Sequence, residues 1–252
     1  MNATIRIAGG IAAASLWSAA SLVCLAQKPP QAPGDVSGKP AAQAAGKPAA
    51  LQIQYDPPKR GAPKGRVGGG TRGLEPRELS LAVIAPDHPG LSSGASPKLY
   101  WFLSRPINAA FEVSVIEDGA ADAILDRAIP APTVAGVQAL DLAALGVALK
   151  PHREYRWFIS LIANPGARSG DTVASGKVIW ESLPATVGER VAAADPISRP
   201  GIFAASGYWY DAYAELRALR ESNPDDARLR AMEVALIGQV GLRDVVRYLE
   251  GP

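Results

Sequence analysis

The feature that most constrains this chain is a period-two stripe: Tyr155, Trp157, Ile159 and Leu161 alternate with Arg156, Phe158 and Ser160. Successive side chains of an extended strand point to opposite faces, so this stripe belongs to a strand with one buried face. Others resemble it. Leu99, Trp101 and Leu103 alternate with Tyr100 and Phe102, and Phe111, Val113 and Val115 with Glu112 and Ser114, ahead of a Glu117-Asp118-Gly119 turn. Residues 79–84, 124–128, 137–142 and 172–180 supply further β-type runs, separated by turn residues. Seven short strands of this kind predict an antiparallel β-sandwich over residues 79–183.

One local device sharpens the expectation. Leu149-Lys150-Pro151-His152-Arg153-Glu154-Tyr155 has the spacing of a tyrosine corner, in which the ring is buried and its hydroxyl bonds the backbone a few residues upstream. The corner and the strand count together point to an immunoglobulin or fibronectin type III kind of sandwich.

After Trp180 the texture becomes helical, and residues 184–252 read as a helical tail. Thr186 and Glu189 have the spacing of a capping box. Residues 208–221 place Trp209, Tyr213 and Leu216 on helical spacing, and Asn223-Pro224 stops the helix. Asp225 and Asp226 open the next, with Leu229, Met232, Leu236 and Ile237 as its apolar stripe, and a last helix covers 242–249. Pro196 and Pro200 argue against a helix before Gly207. Gly207-Tyr208-Trp209-Tyr210-Asp211 and Gly241-Leu242-Arg243-Asp244 mark equivalent turns, their glycines 34 residues apart, which is the period of a tetratricopeptide repeat. The expected fold is therefore mainly β with a C-terminal α part: a sandwich followed by a small tetratricopeptide-like helical hairpin.

The N-terminus reads as an export signal over residues 1–26. Arg6 gives a positive start, residues 7–25 are apolar or small without charge, and Ala26 offers a cleavage site, with cleavage after Ala20 as the alternative. Cys24 is the only cysteine, and Val23 before it does not suit lipidation. Cleavage after Ala26 leaves a mature chain without thiol or disulfide, in an exported location, periplasmic or secreted, with a membrane anchor formed by the uncleaved N-terminus as the alternative. Residues 27–56 are rich in Pro, Ala, Gly and Lys and read as a disordered linker, although residues 51–55 alternate briefly and could add a strand. Residues 57–78 are a Gly/Pro-rich lead-in carrying Lys59, Arg60, Lys64, Arg66 and Arg72. The formal net charge of only +2 gives no general attraction to nucleic acid, so any anion must meet a local patch such as this one.

These features resemble an exported bacterial family known as domain of unknown function 928. The resemblance rests on Pro57-Pro58-x-Arg60-Gly61-x-Pro63 with Gly68-Gly69-Gly70-Thr71-Arg72-Gly73, on the core around Tyr155-Arg156-Trp157, and on Gly207-Tyr208-Trp209-Tyr210-Asp211. It spans residues 55–249. Similar proteins usually have a cysteine soon after the T-R-G, where this chain runs Leu74-Glu75-Pro76, so a disulfide implied by the family is ruled out. The family label implies no activity.

Three patterns look chemical. Gly68-x-Gly70-x-x-Gly73 matches a dinucleotide fingerprint, but that chemistry needs a preceding strand and a following helix, and here a Pro-rich coil precedes and a strand follows. Gly90-Leu91-Ser92-Ser93-Gly94 matches a nucleophile elbow, with His152 and one of Asp118, Asp122, Asp126 or Asp141 as partners. Pro97 and a strand follow the serine where a helix is required. His88 and His152, the only histidines, lie far apart, so no metal or cofactor is expected. Tyr100, Phe102 or Phe158, if outward-facing, would make a carbohydrate surface, though core is the expected role of such rings. The reading is a non-enzymatic interaction protein whose partner is another envelope protein or an anionic surface polymer. Arg60, Lys64, Arg66 and Arg72 are the anion candidates, and Trp209 and Tyr210 the candidate partner groove. The alternatives are an envelope hydrolase using Ser92 and His152, and an anionic-surface binder acting through the basic Gly/Pro segment.

Overall fold

The computed structural model describes residues 53–59, 69–70 and 79–251. The apolar N-terminal run and Arg60, Lys64, Arg66 and Arg72 lie outside the described residues. Two sheets form among those described. The first is antiparallel, in the order β1 (Gly69–Gly70), β2 (Ser80–Val83), β4 (Lys98–Leu103), β7 (Gly136–Asp141). The second runs β3 (Gly90–Ser92), β9 (Thr172–Trp180), β8 (Glu154–Ile162), β5 (Ala110–Glu117), β6 (Ala123–Ile129). The alternating stripes meet between them. Leu81, Val83, Leu99, Trp101 and Leu103 of the first sheet face Phe111, Val113, Val115, Tyr155, Trp157 and Ile159 of the second, all buried. Trp101 and Phe111 touch across the gap, their ring centroids 5.4 Å apart.

The expected tyrosine corner is present: the Lys150 backbone N–H donates to the Tyr155 hydroxyl at 3.1 Å. The turn holds His152 at φ 58°, a left-handed conformation that a non-glycine residue adopts at some cost. Two strands escaped the sequence reading, β1 within the Gly/Pro-rich lead-in and β3. β3 has only three residues and no visible period, yet it pairs with β9 in parallel, Ser92 opposite Trp180.

Five helices follow: α1 (Ala185–Ala193), α2 (Arg199–Ala205), α3 (Trp209–Ser222), α4 (Ala227–Gln239) and α5 (Arg243–Glu250). α4 starts as expected, the Asp226 carboxylate accepting from the Arg228 N–H at 2.8 Å, and this pairing with Arg228 holds the Asp226 carboxyl down at about 2. Two expectations fail. The Thr186–Glu189 capping box is not formed, because Pro184 is the residue at the cap and Thr186 already sits inside the first turn. Pro200 does not prevent a helix before Gly207 either; it lies in the first turn of α2, where its missing N–H costs nothing. Gly207 and Gly241 both have positive φ, 83° and 73°, so α2 and α3, then α4 and α5, are joined by equivalent left-handed glycine turns.

The helices cover the outer face of the first sheet. Tyr100 packs edge-on against Tyr213 of α3 at 5.0 Å, and Phe102 against Tyr248 of α5 at 5.0 Å. Tyr100 and Phe102 are therefore core, and no carbohydrate surface is available there; burial pushes the Tyr100 hydroxyl up to about 12. The reason is visible in β4, whose residues from Leu99 to Leu103 are buried on both faces, so its alternation separates two cores. Among the described residues no helix is long and apolar enough to cross a membrane.

Candidate functional site

The side chains richest in chemistry gather where α3 enters the sandwich. Between β2 and β3 the chain leaves one sheet for the other, and Trp209 and Tyr210 insert at this crossing. Trp209 Nε1 donates to the Ile84 carbonyl at 3.0 Å. The Tyr210 hydroxyl accepts from Trp157 Nε1 at 2.9 Å and donates to the Lys177 carbonyl at 2.8 Å. Tyr208 donates to the Ser182 carbonyl at 2.8 Å. Asp211 accepts from the Ser93 N–H at 2.9 Å and forms a second, very short bond with the Ser93 hydroxyl. Four consecutive residues of one helix start thus each bond the sandwich or the segment that leaves it.

Glycines make the insertion sterically possible. A Cβ on Gly90 would stand 3.0 Å from Tyr210 Cε2 and 3.2 Å from Trp209 Cβ; one on Gly176 would stand 2.8 Å from Ala85 Cβ and 2.9 Å from Trp157 Nε1. Burial raises the Tyr210 hydroxyl above its ordinary range, so it stays a neutral donor. Burial also raises the Asp211 carboxyl, with the Ser93 bonds opposing the shift.

This overturns one expectation. Trp209 and Tyr210 form no partner groove, because they are 0% and 2% exposed. Their apolar surface is already occupied by the chain's own sandwich, and each polar tip has a partner there, as buried aromatics require.

A second cluster adjoins the first. Residues 53–58 cross the α2–α3 turn as a strap. Ile53 and Tyr55 are buried while Gln54 and Asp56 are exposed, so the end of the segment read as a linker is built into the core. The Gln239 side chain pairs with this strap as a neighbouring strand would: its Oε1 accepts from the Tyr55 N–H at 2.8 Å and its Nε2 donates to the Ile53 carbonyl at 3.0 Å. The Asp56 N–H donates to the Ala204 carbonyl at 3.1 Å. The Tyr55 ring stacks on His88 at 5.7 Å and meets Trp209 edge-on at 5.1 Å. Its hydroxyl lies 2.9 Å from His88 Nε2, and His88 Nδ1 lies 3.0 Å from the Asp87 carboxylate. A carboxylate at Nδ1 fixes the tautomer with its proton there, leaving Nε2 to accept from the tyrosine. Burial first, then Asp87 and Asp56, raise the Tyr55 hydroxyl well above its usual value, which keeps it a donor.

The strap is held with little to spare. Burying Ile53 and Tyr55 contributes about 1.5–3 kcal/mol each, and the three backbone bonds about 0.5–1.5 kcal/mol each. Ordering six residues costs about 1–2 kcal/mol apiece. The two sides nearly cancel.

A third cluster lies inside the helices. Glu233 is fully buried, and it accepts from the Tyr213 hydroxyl at 2.8 Å, from Arg217 at 3.2 Å and from Arg220 at 3.2 Å. Burial and the Glu233 carboxylate push the Tyr213 hydroxyl well above its ordinary value. The sequence carried a signal for this network that the apolar pattern hid: Glu233 falls within the stripe Leu229, Met232, Leu236 and Ile237, and Tyr213, Arg217 and Arg220 share one face of α3.

The proposed nucleophile and base are not brought together. Ser92 is buried and its hydroxyl donates to the Gly94 carbonyl at 3.0 Å. His152 is exposed, and its N–H donates to the Trp180 carbonyl at 2.9 Å. Ser92 also pairs with Trp180, but from the opposite side of β9, since β9 separates β3 from β8. Two strand spacings make that separation about 10 Å. In the glycine fingerprint, Gly69–Gly70 form β1 beside β2, while Gly68 and Gly73 lie outside the described residues. Among the described residues no three His, Cys, Asp or Glu side chains gather to hold a metal.

A family model described as Domain of Unknown Function (DUF928) matches residues 67–248. No curated protein matches the chain.

Proposed function

The chain belongs to the DUF928 family, whose description carries no activity, and from the architecture we propose an exported, non-enzymatic interaction scaffold in which a sandwich and a helical array act as one recognition body. The observation that carries this reading is the run Tyr208 to Asp211, each residue of which bonds the sandwich or its exit segment. Groups that could serve chemistry are engaged in holding two recognition-type modules in one orientation, and binding surfaces gain from such fixed geometry.

The finer architecture is part of the proposal. The order β2-β4-β7 against β9-β8-β5-β6, with a tyrosine corner opening β8, supports an immunoglobulin-like sandwich. Glycine turns 34 residues apart support a tetratricopeptide-like tail. The partner is proposed to be an envelope protein or an anionic polymer, the latter met through Arg60, Lys64, Arg66 and Arg72.

The experiment is site-specific photocross-linking in the envelope. The cross-linker is placed at exposed Arg230 of α4, Arg243 of α5 and Arg127 of β6. A discrete adduct at one or more positions is expected, together with recovery of a mature chain starting at Gln27. A chain retained in the cytoplasm, or one without adducts at all three positions, overturns the reading.

A further inference from the structure

We propose that the groove holding residues 53–58 is a peptide-binding groove, closed in cis by the strap and open in trans to an extended segment with an aliphatic side chain two positions before a tyrosine. This rests on the scaffold reading and gives it a site. Three observations carry it. The strap's backbone is engaged at three points: Gln239 reads Ile53 and Tyr55, and Ala204 reads Asp56. Recognition by main-chain bonds tolerates many sequences and is the mode by which extended peptides add to a receiving edge. Specificity comes from one pocket, where Trp209 and His88 bracket the Tyr55 ring and His88, oriented by Asp87, takes the hydroxyl. A phenylalanine there would leave Nε2 without its donor.

The floor is shaped for a passing chain. Gly207 has φ 83°, and a Cβ on it would stand 3.3 Å from the Asp56 carbonyl, so a larger residue would crowd the backbone it receives. No residue of the strap is paired in either sheet, so it can leave without breaking a ladder. With docking and ordering terms nearly cancelling, it belongs to the low-stability end of the molecule. A tethered strap still competes at high effective concentration, which makes it an autoinhibitory cover.

Two measurements test this. In the unsubstituted chain, hydrogen exchange of the Tyr55 and Asp56 amides should be at least 100-fold faster than that of Trp157 and Ile159 in β8. Equal protection would mean that the strap leaves only on global unfolding, and would overturn the proposal. In the full chain carrying Tyr55→Ala, a labelled peptide with the sequence of residues 51–59 should bind saturably by fluorescence anisotropy. Gln239→Ala in the protein, or Tyr→Ala in the peptide, should weaken it at least tenfold. No binding, or binding indifferent to both changes, sinks the groove. An envelope adduct at Arg230, Arg243 or Arg127 would stand regardless, so the two readings fail separately.

Discussion

Tyr210 carries its hydroxyl to a place where two other polar groups depend on it. Replacing it by phenylalanine leaves the Trp157 indole N–H without its acceptor and takes the tyrosine donor from the Lys177 carbonyl, at a cost of about 1–3 kcal/mol. Denaturant unfolding should show a lower midpoint at unchanged slope; an unmoved midpoint would mean the bridge contributes nothing. Asp211 makes the opposite kind of prediction. Its folded-state pKa is raised by burial, so as pH climbs past the unfolded value near about 3.9, the unfolded chain ionises first and stability falls. Below that value the carboxyl is protonated in both states and the effect vanishes. Asp211→Asn keeps an acceptor for the Ser93 N–H and a donor for its hydroxyl, so the variant should gain on the parent as pH rises from 4 to 7. A pH-independent difference between them would show that the carboxylate is not penalised. None of this was legible in the sequence at residue scale. Trp209 and Tyr210 advertise large apolar surface, but periodicity cannot say whether a stranger or the chain's own sandwich covers it. His88 lies far from His152 and so offers no metal pair, but its partners are Asp87 beside it and a tyrosine 33 positions away.

Elements were far more readable, because period-two and period-3.6 stripes are local properties. All seven expected strands form, and α3, α4 and α5 start and stop within a residue or two of their capping and breaking signals. What local pattern could not supply was the third layer. β4 carries large apolar side chains on both faces, Leu99, Trp101 and Leu103 on one and Tyr100 and Phe102 on the other, but nothing local says that α3 and α5 cover the second. β3 was unreadable because its ladder, not its composition, makes it a strand. Two predictions belong at this scale. Gly176→Ala on β9 would place a methyl group 2.8 Å from Ala85 Cβ, and such overpacking costs about 1–3 kcal/mol; an unchanged melting temperature would show that the sheets yield at no cost. Glu233→Ala removes the carboxylate joining α4 to Tyr213, Arg217 and Arg220 of α3. Loss of one partner of a buried ion pair costs about 3–5 kcal/mol, and because Arg217 and Arg220 keep some solvent contact the lower end is expected in thermal melts. A loss below about 1 kcal/mol would place the network among surface pairs.

For the whole molecule, the seam makes sandwich and helices depend on each other. Far-ultraviolet signal from the helices and near-ultraviolet signal from Trp157 in the sandwich should therefore vanish in one coincident transition, and Tyr210→Ala should separate them, helices first. Two transitions in the parent chain would show that the seam couples nothing. The plug also has a meaning in chain order. The strands of the sandwich end at Trp180, whereas the residues that plug its crossing, Trp209 and Tyr210, come later in the chain. A nascent chain cut short anywhere in that interval keeps bare apolar surface at Ile84, Gly90 and Trp157, the kind of surface that proteases and chaperones survey. The sandwich therefore cannot complete its own core, and its closure depends on the chain being full length through α3.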